Sequence, residues 1–232
     1  MSPEFKNKTR EQRVATLIAD FSLCVDTFDH DPVFSRTEQL ENHLATIHRR
    51  REIAGASAAC LDSKFAVLLY RTLKAWGIGQ RGSKLVDLES FLFALANRAD
   101  DVGSLEGWML ESPNLLIDSA ISRTWSIIEK LDIVNNKNLI VSGTKTLHHL
   151  LPDLVPPMDR RYTQQFFMWE NPQFQYNQKP SYRAMLQTFH QVAVAVRPSR
   201  LIGPGWRSST TKIIDNAVVG YMMRKKNGDK LP

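Results

Sequence analysis

A chain of 232 residues with 43% hydrophobic and 23% charged residues has the composition of a folded protein with one sizeable core, which excludes wholesale disorder. Its formal charge of +6 at pH 7 favours a polyanionic partner such as nucleic acid. No run approaches the roughly 20 apolar residues of a membrane span, and no apolar segment follows the charged start MSPEFKNKTREQR, so neither anchor nor signal peptide nor membrane partner is expected and the expected location is cytoplasmic.

Apolar residues at Val14, Leu17, Ile18, Phe21, Cys24, Val25 and Phe28 recur at threes and fours and predict one amphipathic helix from Thr9 to Phe28. The segment DHDP breaks it. Ser35-Arg36-Thr37-Glu38 reads as a capping box, opening a helix that buries Leu40, Leu44 and Ile47 and ends in Arg49, Arg50 and Arg51. After a small-residue linker, AGASAA, Asp62 or Ser63 caps a helix to Ala75 with Phe65, Leu69, Leu73 and Trp76 on its apolar side. WGIGQRGSKL reads as a helix-ending turn, while its glycines with Arg81 and Lys84 leave an anion-binding nest open.

Asp87 or Ser90 opens a further helix through Asn97, and ADDVGS reads as a surface connection between two helical halves. Ser112-Pro113 reads as the start of a helix burying Leu116, Ile117, Ile121, Ile128 and Leu131, with Trp125 alongside, and NNKN ends it. Residues 171–179 read as a polar loop, Pro180-Ser181 as the start of a helix to Val196, and Thr210 to about Met223 as the last helix. No segment sustains an alternation of period two. The expected class is therefore all-α: a single helical domain over residues 1–232, with lobes at 1–100 and 104–232 and the candidate site in the second.

The chemistry-bearing stretch is Val141 to Phe167, VSGTKTLHHLLPDLVPPMDRRYTQQFF. Ser142-Gly143 reads as a tight turn or cap, and Thr144 to Leu151 as a short helix on which Lys145 can share a face with His148 or His149. Pro152, Pro156 and Pro157 hold a rigid loop that ends at Asp159, the head of a helix carrying Tyr162, Phe166 and Trp169. Asp159 has two compatible readings, as a helix cap and as a carboxylate aimed into a cleft to stabilise a cation or activate water. No HxxxH or HExxH spacing is present and His30, His43, His48 and His190 fall on other segments, so no histidine metal site and no cofactor are expected. Two cysteines, Cys24 and Cys60, sit among apolar helical neighbours as buried reduced thiols.

This order of glycine turn, lysine helix, proline loop and aspartate resembles the core of the helix-hairpin-helix DNA glycosylase superfamily, which includes the endonuclease III-like enzymes; a similar stretch occurs in uncharacterised bacterial proteins. The resemblance covers about thirty residues. It implies two packed helical lobes, with Gly143 as a hairpin glycine on the DNA backbone, Lys145 as amine nucleophile and Asp159 as the carboxylate of base excision, and His148 is placed with them. The chain departs from the family in having one hairpin glycine, Arg160-Arg161 in place of a threonine-histidine pair, and no iron-sulfur cysteine cluster. The expected partner is duplex DNA held through its phosphates, by Arg160, Arg161, Arg197, Arg200, Arg207, Lys212 and the triple Arg49 to Arg51, with the amides of 208–211 as a further phosphate site. Tyr162, Trp169 and Trp206 are candidates to stack on an extruded base. Two other readings stand beside it: a binding module of the same fold without the chemistry, and a helical protein-interaction adaptor.

Overall fold

The computed structural model describes residues 3–34, 36–79 and 84–226, with side chains from residue 8. Among these residues there are thirteen α-helices, one 3-10 turn and no β-strand, so the all-helical expectation holds. An isolated antiparallel bridge joins Leu85 to Val134. No helix among the described residues is long and apolar enough to cross a membrane.

The first amphipathic stripe forms two helices, α1 (Pro3–Ala19) and α2 (Phe21–His30), rather than one. The interruption is Asp20, which leaves helical geometry while its carboxylate pairs with Arg224 at 3.0 Å. Helix α3 (Thr37–Glu52) starts after Arg36, which makes no side-chain cap; Ser35 of the expected capping box lies outside the described residues. The presumed small-residue linker is a helix, α4 (Ala56–Leu61), and the presumed surface connection ADDVGS forms a second, α7 (Ala99–Gly103), packed against it. Small side chains allow that approach: a Cβ on Gly103 would stand 2.8 Å from Ser57 Cβ.

Helices α5 (Ser63–Ala75) and α6 (Leu88–Ala96) begin where their aspartates indicate, Asp62 accepting from the Phe65 amide and Asp87 from that of Ser90. Two bonds close α5, from the Ile78 amide to the Leu73 carbonyl and from the Gly77 amide to that of Lys74, with Gly77 at φ +81°. WGIG is thus a helix stop. Of the suggested nest, Gly77, Gly79 and Lys84 are described, while Arg81 and Gly82 lie outside the described residues.

Helix α8 (Ile117–Glu129) starts later than Ser112-Pro113 suggests, because those residues form a turn closed by the Leu115 amide on the Ser112 carbonyl. Leu116, expected in the core, is 72% exposed. Helix α9 (Leu139–Leu150) runs unbroken through Ser142-Gly143, which is therefore no turn. The lack of a side chain at Gly143 serves packing, since a Cβ there would lie 2.7 Å from Ile128 Cγ2 on α8. Helix α10 (Arg160–Phe167) is followed by a short α11 (Asn171–Gln175) inside the expected polar loop, then α12 (Gln178–Val196) and a 3-10 turn, Pro198–Leu201.

The last helix, α13 (Thr210–Lys226), is buried on every side from Thr210 to Tyr221 and packs most extensively on α2. Helix α1 meets α10, α12 and α13, so the first two helices are seated with the C-terminal ones. Cys24 and Cys60 are buried free thiols, and burial pushes the latter up to about 12. The α2–α13 crossing depends on Gly220, where an added Cβ would meet the Cys24 carbonyl oxygen at 1.9 Å. Backbone cannot yield as a side chain does. Gly220→Ala is expected to cost about 3 kcal/mol and lower Tm by roughly 6–12 °C, measured by thermal denaturation; an unchanged Tm would mean that the two helices do not cross here.

Candidate functional site

The proline loop is fastened to α9 at two places and to α13 at a third, and that fastening sets the site. The Thr144 hydroxyl accepts from the Met158 amide at 3.2 Å, His148 Nδ1 reaches the Val155 carbonyl at 3.2 Å, and the Thr211 hydroxyl donates to the Pro152 carbonyl at 2.6 Å. Because Thr144 and Met158 are joined, the next residue of each strand of chain, Lys145 and Asp159, comes to the same cavity walls. At the far end of α10, Arg13 donates to the carbonyls of Gln165 and Phe166, satisfying acceptors that a helix end leaves free.

Asp159 is the cap of α10, its Oδ1 accepting from the amides of Arg161 and Tyr162 at 2.8 and 2.9 Å. Its Oδ2 has no hydrogen-bond partner among the described residues. The cap is thus formed, and the same side chain lies in the wall of a cavity. Lys145 is 8% exposed, and its Nζ donates to the Trp76 carbonyl at 3.0 Å and lies 5.5 Å from the Trp76 ring centroid. That carbonyl is at the C-cap of α5, where the helix dipole favours a cation. Burial nevertheless lowers the Lys145 pKa, with Lys212 adding to the shift and Asp159 and Asp215 opposing it.

Two cavities meet at these groups. One, of about 320 Å³, is walled by Phe34, Trp76 and Trp206, with Lys145, Asp159, Lys212 and Asp215 at its polar side and Arg36 at its edge. The other, of about 780 Å³, is a mixed cleft, with Arg160, Arg161, Gln164 and Gln165 on one part of its wall and Ile78, Ile140, Val141, Trp169 and Phe174 on the rest. Trp76, Gly77, Lys145 and Asp159 belong to both. The aromatic cavity is braced from α13: Lys212 Nζ donates to Asp215 and Asn216, and Asn216 donates to the Trp206 carbonyl at 2.9 Å. Lys212 also lies about 5 Å over Trp206, Phe28 and Phe34. Burial raises the Asp215 carboxyl, and the Lys212 ammonium opposes the rise.

Several charges expected on phosphates are committed within the protein. Lys212 is 1% exposed and ion-paired, and Arg207 pairs with both Asp26 and Asp29. Arg49 pairs with Asp62 and Glu52, Arg50 holds the Leu150 carbonyl and Glu106, and Arg51 donates to the Ser208 carbonyl. Residues 208–211 are buried, with the Thr210 amide on Asp153, so the start of α13 offers nothing to a ligand. Gly143, inside α9 under Ile128, is likewise no backbone donor to a phosphate. Arg160 and Arg161 are exposed on the cleft, whereas Arg197 and Arg200 are exposed away from both cavities.

His148 is fully buried behind the cavity and lines neither space. It belongs to a cluster that spacing did not foretell, because His43 on α3 comes to His148 and His149 on α9. His149 Nδ1 lies 2.7 Å from the Lys145 carbonyl, which only accepts, so Nδ1 carries the hydrogen and Nε2 a lone pair. His43 Nδ1 then donates to His149 Nε2 at 3.0 Å, and the Ser208 hydroxyl donates to His43 Nε2 at 2.7 Å. The same logic places a hydrogen on His148 Nδ1, against the Val155 carbonyl and Thr211, and leaves its buried Nε2 with no partner. Desolvation holds His43 and His148 well below the usual imidazole range and His149 at about 4, so all three are neutral at pH 7.

The residues missed by sequence reasoning are Phe34, Trp76, Asp215 and His43. Two carried a signal. Asp215 and Asn216 stand at i+3 and i+4 from Lys212 on a helix whose neighbours Ile213, Ile214 and Ala217 are buried, and His43 shares a face with Leu40 and Ile47. Scans of the chain against protein-family models, curated proteins and solved structures return no match.

Proposed function

We propose that the protein binds DNA and excises a base from it, the cleft that carries Arg160 and Arg161 taking the phosphate backbone and the aromatic cavity an extruded base. The observation that carries this reading is the position of Lys145 and Asp159 in the wall common to both spaces. An N-glycosidic bond joins a flat ring to a phosphate-linked sugar, so chemistry on it belongs where an aromatic slot meets an arginine-lined cleft. Phe34, Trp76 and Trp206 supply the stacking faces, and Arg160 and Arg161 the phosphate contacts.

In the reaction the glycosidic C–N bond breaks, the base leaves with the electron pair and takes up a proton, and positive charge grows on the sugar. The Asp159 carboxylate stabilises that charge. The nucleophile is either water or the Lys145 amine, whose burial favours the uncharged form and which would close a Schiff base on the sugar. His148 has no place in this chemistry, since it does not reach the cavity. The second reading, a binding module of the same helical fold without turnover, draws support from Gly143, which lies inside α9 instead of forming a phosphate-binding hairpin.

Incubation with duplexes carrying a panel of damaged bases tests the proposal. Abasic-site formation is expected, together with a borohydride-trapped adduct that Lys145→Gln abolishes if the amine is the nucleophile. Release of no base from any duplex, with salt-dependent binding retained, would leave the binding module. Arg160→Ala with Arg161→Ala is expected to weaken binding and flatten the slope of log K against log salt by up to ~2 units. An unchanged slope would place the DNA backbone elsewhere.

A further inference from the structure

Behind the aromatic wall, one ring nitrogen from each of His43, His148 and His149 lies within 4.8 Å of the other two, and all three rings are fully buried. We propose that these residues form a three-histidine site for a divalent d-block ion of the zinc and cobalt type. The inference stands apart from base excision, because none of the three rings lines the cavity where that chemistry would occur.

The arrangement has the supporting contacts that imidazole ligands need. A metal-bound histidine presents one nitrogen to the ion and fixes its ring by donating the other N–H to a carbonyl or hydroxyl. His149 does this with Nδ1 on the Lys145 carbonyl, and His148 with Nδ1 on the Val155 carbonyl and Thr211. Both therefore present Nε2 lone pairs. His43 has the Ser208 hydroxyl 2.7 Å from Nε2, and that oxygen can accept as well as donate. A tautomer change at His43 moves its hydrogen to Nε2, turns the Ser208 bond round and frees Nδ1, with no net proton lost.

Independent of this proximity is the orphaned His148 Nε2, a buried acceptor with no partner. Buried polar atoms of that kind are rare in folded proteins, and an ion would satisfy it. Three neutral imidazoles with no thiolate or carboxylate suit zinc, cobalt, nickel or copper and disfavour calcium and magnesium. Tetrahedral bonds of about 2.05 Å put ligand nitrogens about 3.3 Å apart. The His43–His149 pair, now 3.0 Å apart, would open slightly, and the widest separation in the cluster would close. Such an ion keeps a fourth position for water or another ligand.

The test uses untagged full-length protein, stripped with a chelator and titrated with Co²⁺. One equivalent is expected to give visible ligand-field bands of a four-coordinate nitrogen site and raise Tm by several degrees. Zn²⁺ should displace the bands. His148→Ala, which removes a ligand itself, should weaken Co²⁺ binding by more than the roughly 10–100-fold that loss of an outer-shell partner costs. Because that variant can fail to fold, the wild-type Co²⁺ complex is also read by proton NMR, where three exchangeable imidazole N–H resonances should be paramagnetically shifted. Absence of the bands at stoichiometric Co²⁺, fewer than three shifted resonances, or unchanged binding in a folded His148→Ala variant would overturn the site.

Discussion

Asp159→Asn is expected to fold and to bind DNA as the parent chain does, and to lose base release by about 10³-fold. Asparagine caps a helix as well as aspartate, so the side-chain oxygen that accepts from Arg161 and Tyr162 is kept and only the charge goes. A carboxylate that acts solely as a cap would then be silent in turnover and worth a few tenths of a kcal/mol in stability. One that stabilises a cationic transition state gives a large fall in rate at unchanged Tm. Equal release by parent and variant would remove the charge of Asp159 from the mechanism.

Stability is expected to fall steeply on acidification between pH 6.5 and 5. His43, His148 and His149 are held neutral by burial, with His149 at about 4, so their folded values lie below the unfolded one. Below the unfolded value of about 6.5 the denatured chain binds protons that the native chain refuses, and each refusal costs about 1.4 kcal/mol per pH unit. For the stabilisation of such groups the sign is fixed: it is complete above the unfolded value and is lost as pH falls. His149 alone removes about 2 kcal/mol by pH 5, a large part of the stability of an ordinary domain, and His43 and His148 act in the same direction. Urea titrations at pH 7.5, 6 and 5 measure this, and His149→Gln should reduce the slope by one proton. A stability flat over that interval would mean that the histidines are charged in the native state.

The regular parts of the fold were legible because their signals are local. Asp62, Asp87 and Asp159 each cap the helix that their sequence context announces, and the apolar stripes of α5 and α12 face inward as spaced. Reading failed where tertiary contact decides. Ala56–Leu61 and Ala99–Gly103 look like linkers because small residues carry little periodic signal, yet small residues are what lets these two short helices pack together. Gly143 resembles a turn glycine because the sequence does not show Ile128 lying above it. At the site, Lys145 and Asp159 could be paired from the rigidity of the loop between them. The tryptophan walls and the histidine cluster could not, since residues 43, 76 and 206 are brought to α9 only by the folding of distant segments.

The central position of α13 sets a condition on how the molecule is made. Cys24 and Phe28 on α2 are covered largely by the last of the described helices, so during synthesis they stay open to water until the residues around Gly220 have left the ribosome. Contacts of such long sequence separation form late and slowly, and exposed apolar surface in the interval invites aggregation. A nascent chain of this design has reason to need a chaperone at its first two helices. Production at reduced temperature should therefore raise the soluble yield more than any change confined to α13.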